Sequence, residues 1–371
     1  MEFIDLKTQY AALKSQIHDR MQRVLDHGQF IMGPEVAELE QKLAAYTGAS
    51  YCVTVASGTE ALLISMMALG IGPGDEVITT PFTFAATVET IVLLGARPVF
   101  VDVEDDTCNL DSTRIESKIS TKTKAIIPVS LYGQLADMDA INEIAERHGL
   151  VVIEDAAQSF GASYKGRHSC NVSRIACASF FPSKPLGCYG DGGAIFTSDS
   201  ALAQAMREIR VHGQQSRYYH TRVGVGGRMD TLQCAIVLAK LERFEWEVTQ
   251  RQRIGARYNE MFGALPSPAR AVAIRPDRTS VFAQYTLIVP RRDRLAERLK
   301  SMQIPTAIHY PRPLNEQPAY ERLCCPDCTP VSSMLSREVI SLPMHADLTA
   351  EVQDRVVAAV YSVLQEEAVS A

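Results

Sequence analysis

The chain has 371 residues, 46% of them hydrophobic and 22% charged, with a formal net charge of −6. That is a soluble globular composition; the length argues against one small domain, and the acidity against a general nucleic-acid partner. Met1-Glu2-Phe3-Ile4-Asp5-Leu6 lacks the basic start and apolar core of a signal peptide, and no apolar stretch reaches bilayer length, so a cytoplasmic protein without a membrane partner is expected.

Along the first two-thirds of the chain, strand-like and helix-like patterns alternate. Tyr51–Ala56 is a β-rich run, and Ser57-Gly58-Thr59 joins it to a helix over Glu60–Leu69. Gly70 and Gly72-Pro73-Gly74 stop that helix. Val77–Thr80 and Pro98–Val103 read as strands, with the end of a helix at Glu89–Gly95 between them. Lys124–Val129 is another strand. Asp137–His148 shows helical spacing through Met138, Ile141, Ile144 and Ala145, and Gly149 closes it. Leu150–Ile153, Ile175–Phe180 and Gly193–Thr197 are further strands. Several of these runs are apolar throughout, as in a parallel sheet with helices on both faces. Beyond Arg243 the character changes. A long helix covers Leu232–Arg253, a strand Phe282–Val289, a helix Arg294–Met302, an irregular stretch Ala307–Pro313 and a last helix about Ala350–Glu367. The expected division is a large domain with an N-terminal arm over residues 1–245 and a smaller α/β domain over 246–371.

In a sheet of this kind ligands bind beyond the carboxyl ends of the strands. Four segments there carry chemistry. Ser57-Gly58-Thr59 opens a helix, so its free N–H groups suit an anion, although helix capping explains it equally well. Phe84, after another strand, offers a ring for stacking, or for core packing. Asp155 ends the run Val151-Val-Ile-Glu-Asp, with Gln158 three residues on. Such a carboxylate suits a protonated ring nitrogen, each pKa unit it adds there being worth roughly 1.4 kcal/mol; it would also make a good helix N-cap. Ser179-Phe-Phe-Pro-Ser-Lys184-Pro-Leu-Gly-Cys-Tyr-Gly places an amine in a compact loop after a buried strand. Desolvation would make it a usable nucleophile, whereas an exposed loop lysine would be inert. Together these supply, in chain order, a phosphate cradle, a stacking ring, a pyridinium partner and an amine. Of nine cysteines, expected to be reduced, Cys324, Cys325 and Cys328 form a Cys-x-x-Cys without a second zinc-spaced pair, and a surface loop with free thiols is expected instead of a metal.

The motifs in this order resemble the DegT/DnrJ/StrS family of sugar-nucleotide aminotransferases over essentially the whole chain. Gly33-Pro34-Glu35-Val36, Ser57-Gly58-Thr59-Glu60-Ala61-Leu62, Gly74-Asp75-Glu76-Val77-Ile78, Pro128-Val129-Ser130-Leu131-Tyr132-Gly133, Glu154-Asp155-Ala156-Ala157-Gln158, the Lys184 loop, Arg228-Met229-Asp230-Thr231-Leu232-Gln233 and His309-Tyr310-Pro311 carry it. The resemblance implies the pyridoxal-phosphate fold of aspartate aminotransferase type. It implies pyridoxal 5′-phosphate (PLP) as cofactor, with pyridoxamine 5′-phosphate as its intermediate form, and Lys184 as the Schiff-base lysine. Asp155 would meet the pyridine nitrogen and Gln158 the ring oxygen. Gly58, Thr59 and Ser179 would hold the phosphate, Phe84 would stack, and Arg228, His309 and Tyr310 would face sugar or donor. Within the family, Ser159–Gly166 with Phe180–Tyr189 is most similar to enzymes acting at C3 of UDP-2-acetamido-2-deoxy-3-oxo-glucuronate, in bacterial O-antigen (lipopolysaccharide) biosynthesis, with L-glutamate as donor and 2-oxoglutarate as its product. Another UDP- or dTDP-linked 3- or 4-keto sugar is the alternative. A PLP-dependent sugar dehydratase fits less well, because those relatives carry His where Lys184 stands. A homodimer with active sites near its interface is also implied. Gly226 departs from the pattern: the family usually has Asn there, reaching the phosphate of the neighbouring subunit.

Overall fold

Short apolar runs separated by glycine-rich breaks become strands, and the amphipathic stretches between them become helices. The computed structural model describes residues 1–324 and 326–369. Helices α1 (Leu6–His27) and α2 (Pro34–Thr47) precede β1 (Tyr51–Val55). Then come α3 (Gly58–Ala68), β2 (Glu76–Thr79), α4 (Ala85–Leu93), β3 (Arg97–Phe100), β4 (Thr123–Ile127), α5 (Met138–His148) and β5 (Val151–Asp155). A small hairpin, β6 (Ser163–Tyr164) with β7 (Arg167–His168), leads to β8 (Ile175–Ser179) and β9 (Gly193–Thr197). Helix α6 (Ser200–Arg210), the hairpin β10 (Gln214–Ser216) and β11 (Tyr219–His220), and the long α7 (Thr231–Met261) follow. The remainder holds β12 (Arg270–Ala271), β13 (Tyr285–Ile288), α8 (Arg292–Ser301), α9 (Pro330–Glu338), β14 (Val339–Leu342) and α10 (Ala350–Val369).

Seven strands form one sheet in the order β1-β9-β8-β5-β4-β2-β3. The pairs from β8 across to β3 are parallel, and β9 runs antiparallel to both of its neighbours. Strand β1 therefore runs the same way as β8, and the carboxyl ends of β1, β5 and β8 share one edge. Strand alternation then assigns faces. In β5, Val152 enters the cluster containing Leu39, Phe160 and Phe244, whereas Ile153 enters the opposite one with Val53, Ile64 and Ile91. Both faces are covered, which is why the runs are apolar throughout.

Helix α5 follows its sequence pattern closely. Met138, Ile141, Ile144 and Ala145 are its buried residues, and Gly149 ends it in the left-handed conformation, φ 64°. The expected strand over Phe282–Val289 is shorter, because Phe282 has φ 43°, which no strand accepts. Helices α1, α2, α6 and α9 and strand β14 add to the elements expected from the sequence. Strands β12, β13 and β14 form a second, antiparallel sheet. It has its own apolar cluster, including Leu287, Leu299, Ile340 and Val360, into which Ile254 and Tyr258 of α7 also pack.

Candidate active site

The sheet's carboxyl edge collects the residues singled out by sequence. At the end of β1, Ser57 caps α3: its Oγ accepts the Glu60 N–H at 3.0 Å. The first-turn N–H groups of Gly58 and Thr59 have no intrahelical acceptor, as at any helix start. Ser179 ends β8 directly opposite. A methyl group added to Gly58 would lie 2.7 Å from Ser179 Cβ, and one added to Gly193 would lie 2.6 Å from Ser57 C. These contacts require glycine and leave a cradle lined by amides and a hydroxyl, suited to a phosphate.

Strand alternation sends the two acids of β5 to opposite faces. Glu154 is fully buried, and its carboxylate accepts from Ser169 at 2.8 Å, the Cys170 N–H at 3.0 Å and Ser130 at 3.1 Å. It staples the turns that follow the strand. Asp155 faces α3 and α4. Its Oδ1 accepts the Ala157 N–H at 3.2 Å and its Oδ2 the Thr87 hydroxyl at 2.9 Å. Burial pushes the Asp155 carboxyl up, while the Thr87 and Ala157 donors and the Lys184 charge pull it back. No helix follows Asp155; residues 157–161 make turns, so the N-cap alternative is not realised.

Lys184 is half-buried in a loop held by its own backbone. Lys184 N–H donates to Phe181 O at 2.9 Å and Cys188 N–H to Phe180 O at 2.7 Å. The turn is tight enough that a methyl on Gly187 would meet Pro182 O at 2.5 Å. Desolvation lowers the Lys184 pKa, and Asp155 opposes this. The neutral amine a nucleophile needs is thus favoured beside an anionic partner.

Gln158 is buried and bonded at both ends: Oε1 accepts the Tyr132 N–H at 2.8 Å and Nε2 donates to Tyr310 Oη at 3.2 Å. Tyr132 in turn donates its hydroxyl to the His309 carbonyl. Ala307 pairs with Ser341 of β14, which carries the irregular 307–313 segment to this edge. Burial, and secondarily the Lys184 charge, depresses the His309 pKa to about 4. Phe84 caps α4 with its ring 57% exposed and 6.4 Å, centroid to centroid, from Tyr310. Sequence alone revealed neither the Thr87 contact nor the Tyr132 link, since both join segments distant in the chain.

Arg228 reaches the same edge because Ala56 N–H bonds Gly227 O at 2.9 Å. Its Nε is buried without a hydrogen-bond partner among the described residues, and so is Glu60 Oε2, whose carboxyl feels the Arg228 charge. A methyl on Gly226 would stand 3.1 Å from His212 Cε1, so the His212 ring lies where a side chain at position 226 would begin. Away from the site, Cys324 and Cys328 are half-buried with their sulfurs 3.0 Å apart; Cys325 lies outside the described residues. The site fits a flat, phosphorylated heterocycle: an amide cradle, a buried carboxylate for a ring nitrogen, an exposed aromatic face and a desolvated amine.

The comparisons with known proteins agree with this chemistry. The UDP-2-acetamido-2-deoxy-3-oxo-D-glucuronate aminotransferase of Pseudomonas aeruginosa is 56% identical over 345 residues, 93% of this chain and 95% of that one. The crystal structure of a DegT/DnrJ/EryC1/StrS aminotransferase from Brucella abortus superposes with a TM-score of 0.95 at 40% identity, covering 98% of this chain and 99% of that one. NtdA from Bacillus subtilis, solved with bound cofactor PMP, gives 0.90 at 29% identity over 98% of this chain and 83% of that one. The family model for DegT/DnrJ/EryC1/StrS aminotransferases matches residues 11–361, and the chain belongs to that family.

Proposed function

We propose that this protein is a PLP-dependent sugar-nucleotide aminotransferase that moves the amino group of L-glutamate to C3 of UDP-2-acetamido-2-deoxy-3-oxo-D-glucuronate, releasing 2-oxoglutarate. The observation that carries the reading is the desolvated Lys184 amine beside the buried Asp155 carboxylate, at the edge that holds the Gly58–Ser179 cradle. The P. aeruginosa relative supports the choice of sugar.

When bound, the cofactor supplies an electron sink for the carbon that gains or loses nitrogen. The chain's residues do the rest. Gly58, Thr59 and Ser179 hold the phosphate, and Phe84 covers the ring. Asp155 keeps the ring nitrogen protonated, and Gln158 stands at the ring oxygen. Lys184 is the residue that holds the cofactor, and its amine takes a proton from the donor's α-carbon and delivers one to sugar C3. Arg228 pairs with a carboxylate, and His309 and Tyr310 face the sugar.

The proposal extends to a homodimer, a two-domain division at residue 245, a cytoplasmic location and a place in O-antigen synthesis. For the dimer, the apolar run Phe30-Ile31-Met32 is exposed where Ile31 bridges Asp230, two residues from Arg228. For the division, the second sheet has a separate core. Among the described residues no helix is long and apolar enough to cross a membrane.

The test runs the reaction backwards. PLP-loaded protein is mixed with UDP-2-acetamido-3-amino-2,3-dideoxyglucuronate and 2-oxoglutarate, and glutamate is assayed. Glutamate should form, and none with Lys184→Ala. Turnover only with an amino sugar lacking the carboxylate would overturn the uronate assignment; no turnover with any amino-sugar nucleotide would overturn the aminotransferase reading.

A further inference from the structure

The geometry points to Thr87 and Thr83 as positioning residues that keep Asp155 ionised and aimed at its cofactor atom. This inference rests on the proposed cofactor site.

Asp155 is almost wholly withdrawn from water, a position that favours the neutral acid. A neutral carboxyl there would fail, since a protonated ring nitrogen needs an anion opposite. Among the described residues, two groups donate to the Asp155 carboxylate: the Ala157 main chain on Oδ1, and the Thr87 hydroxyl on Oδ2 at 2.9 Å. Thr87 is itself buried, and its Oγ1 lies 3.0 Å from Thr83 Oγ1, also buried. The proton order along this chain is set by chemistry. An ionised carboxylate only accepts, so Thr87 spends its one hydrogen on Asp155, and Thr83 must donate to Thr87. A donor that is itself receiving a hydrogen bond is polarised and binds an anion more strongly. Both threonines belong to one turn: Thr83 stands before Phe84, the N-cap of α4, and Thr87 lies in the first turn of the helix. The same turn that presents the exposed Phe84 ring thus also sets the charge and direction of the carboxylate.

The test uses pyridoxamine 5′-phosphate, which cannot condense with Lys184, so binding reports the non-covalent site. Protein dialysed free of cofactor is titrated with it across the mildly acid to neutral range, and binding is followed by intrinsic fluorescence. Titration of the ligand's own phosphate contributes equally to every variant. Thr87→Val preserves shape and removes the hydroxyl. It should bind about tenfold more weakly at neutral pH, with its acid limb displaced upward by about one pH unit. Thr87→Ser, which keeps the donor, should restore both, and Thr83→Val should show a smaller displacement in the same direction. Wild-type binding with an unmoved acid limb in Thr87→Val would overturn the inference, as would a Thr87→Ser protein as impaired as Thr87→Val. Wild-type protein that takes up no cofactor at any pH would instead overturn the cofactor site itself, and this inference with it.

Discussion

Gly58 at the start of α3 and Ser179 at the end of β8 approach so closely that a Cβ on Gly58 would overlap Ser179 Cβ at 2.7 Å and crowd its Cα at 3.2 Å. Both atoms are fixed by the chain path, so the overlap cannot be relieved by rotating a flexible side chain. Gly58→Ala is expected to push the helix start away from the strand end and open the cradle. Overpacking of this kind costs about 1–3 kcal/mol. The expected outcome is a lower unfolding midpoint together with about tenfold weaker PLP binding, measured by fluorescence titration of dialysed protein. An unchanged dissociation constant would remove the cradle from the cofactor site.

The half-buried imidazole of His309 predicts an acid sensitivity. Desolvation, helped by the Lys184 charge, lowers its pKa from 6.5 to about 4. The unfolded chain therefore binds a proton that the folded one refuses, and stability rises with pH across this interval. The contribution should be constant above pH 6.5 and fall away as pH drops toward about 4. Its full size is about 3 kcal/mol. Urea midpoints of the cofactor-free protein across that range should follow this course. His309→Gln should flatten the corresponding part of the profile; an equally steep profile in that variant would assign the slope to other groups.

Lys184 stands where function and stability conflict. Burial lowers the amine pKa because it disfavours the charged form in the folded chain, so below the unfolded value of 10.5 this desolvation opposes folding, with the Asp155 charge offsetting part of it. Replacing it by the apolar Lys184→Met should raise the thermal midpoint of the cofactor-free protein at neutral pH. The same variant should lose amino transfer by about a hundredfold or more, the usual size of a lost general base. Calorimetry and a glutamate-release assay on one preparation read both. A destabilised variant would mean that Asp155 depends on the Lys184 charge more than burial opposes it.

Arg228, whose Nε is buried without a hydrogen-bond partner among the described residues and whose charge reaches the Glu60 carboxyl, is the guanidinium proposed to meet the ligand carboxylate. Arg228→Gln should raise KM for the uronate substrate about thirtyfold, corresponding to a loss of about 2 kcal/mol, with kcat less affected. An amino sugar lacking the carboxylate should show little change. Equal losses on both substrates would make the arginine a structural element.

Much of this architecture follows from short-range pattern. The apolar spacing of Met138, Ile141, Ile144 and Ala145 determines α5, and Gly149 its end. Uniformly apolar runs such as Val151–Ile153 determine buried parallel strands, and the polar residues at their ends mark the ligand edge. Helix α1 has little signature in the sequence although Asp5 caps it, accepting from Lys7 N–H at 3.0 Å and Thr8 N–H at 2.9 Å. Only Leu13, Ile17 and Val24 are buried along its 22 residues, too sparse a stripe to recognise. Strand β14 has little signature either, because four residues before a proline carry almost no periodicity.

The sequence by itself determined which residues carry charge, amine, hydroxyl and ring, and that Asp155 and Lys184 follow buried strands. Asp155 was already singled out in the sequence, but only the tertiary structure shows how the two adjacent acids part: strand alternation turns Glu154 into the serines and Asp155 toward α4. It also decided that Thr87 would reach across 68 residues to Asp155, and Tyr132 across 177 to His309. Contacts of that separation depend on strand order, crossover direction and packing depth, and no local pattern encodes them. The same burial sets the chemistry, because removing water is what raises the Asp155 carboxyl, lowers the Lys184 amine and makes each remaining hydrogen bond decisive.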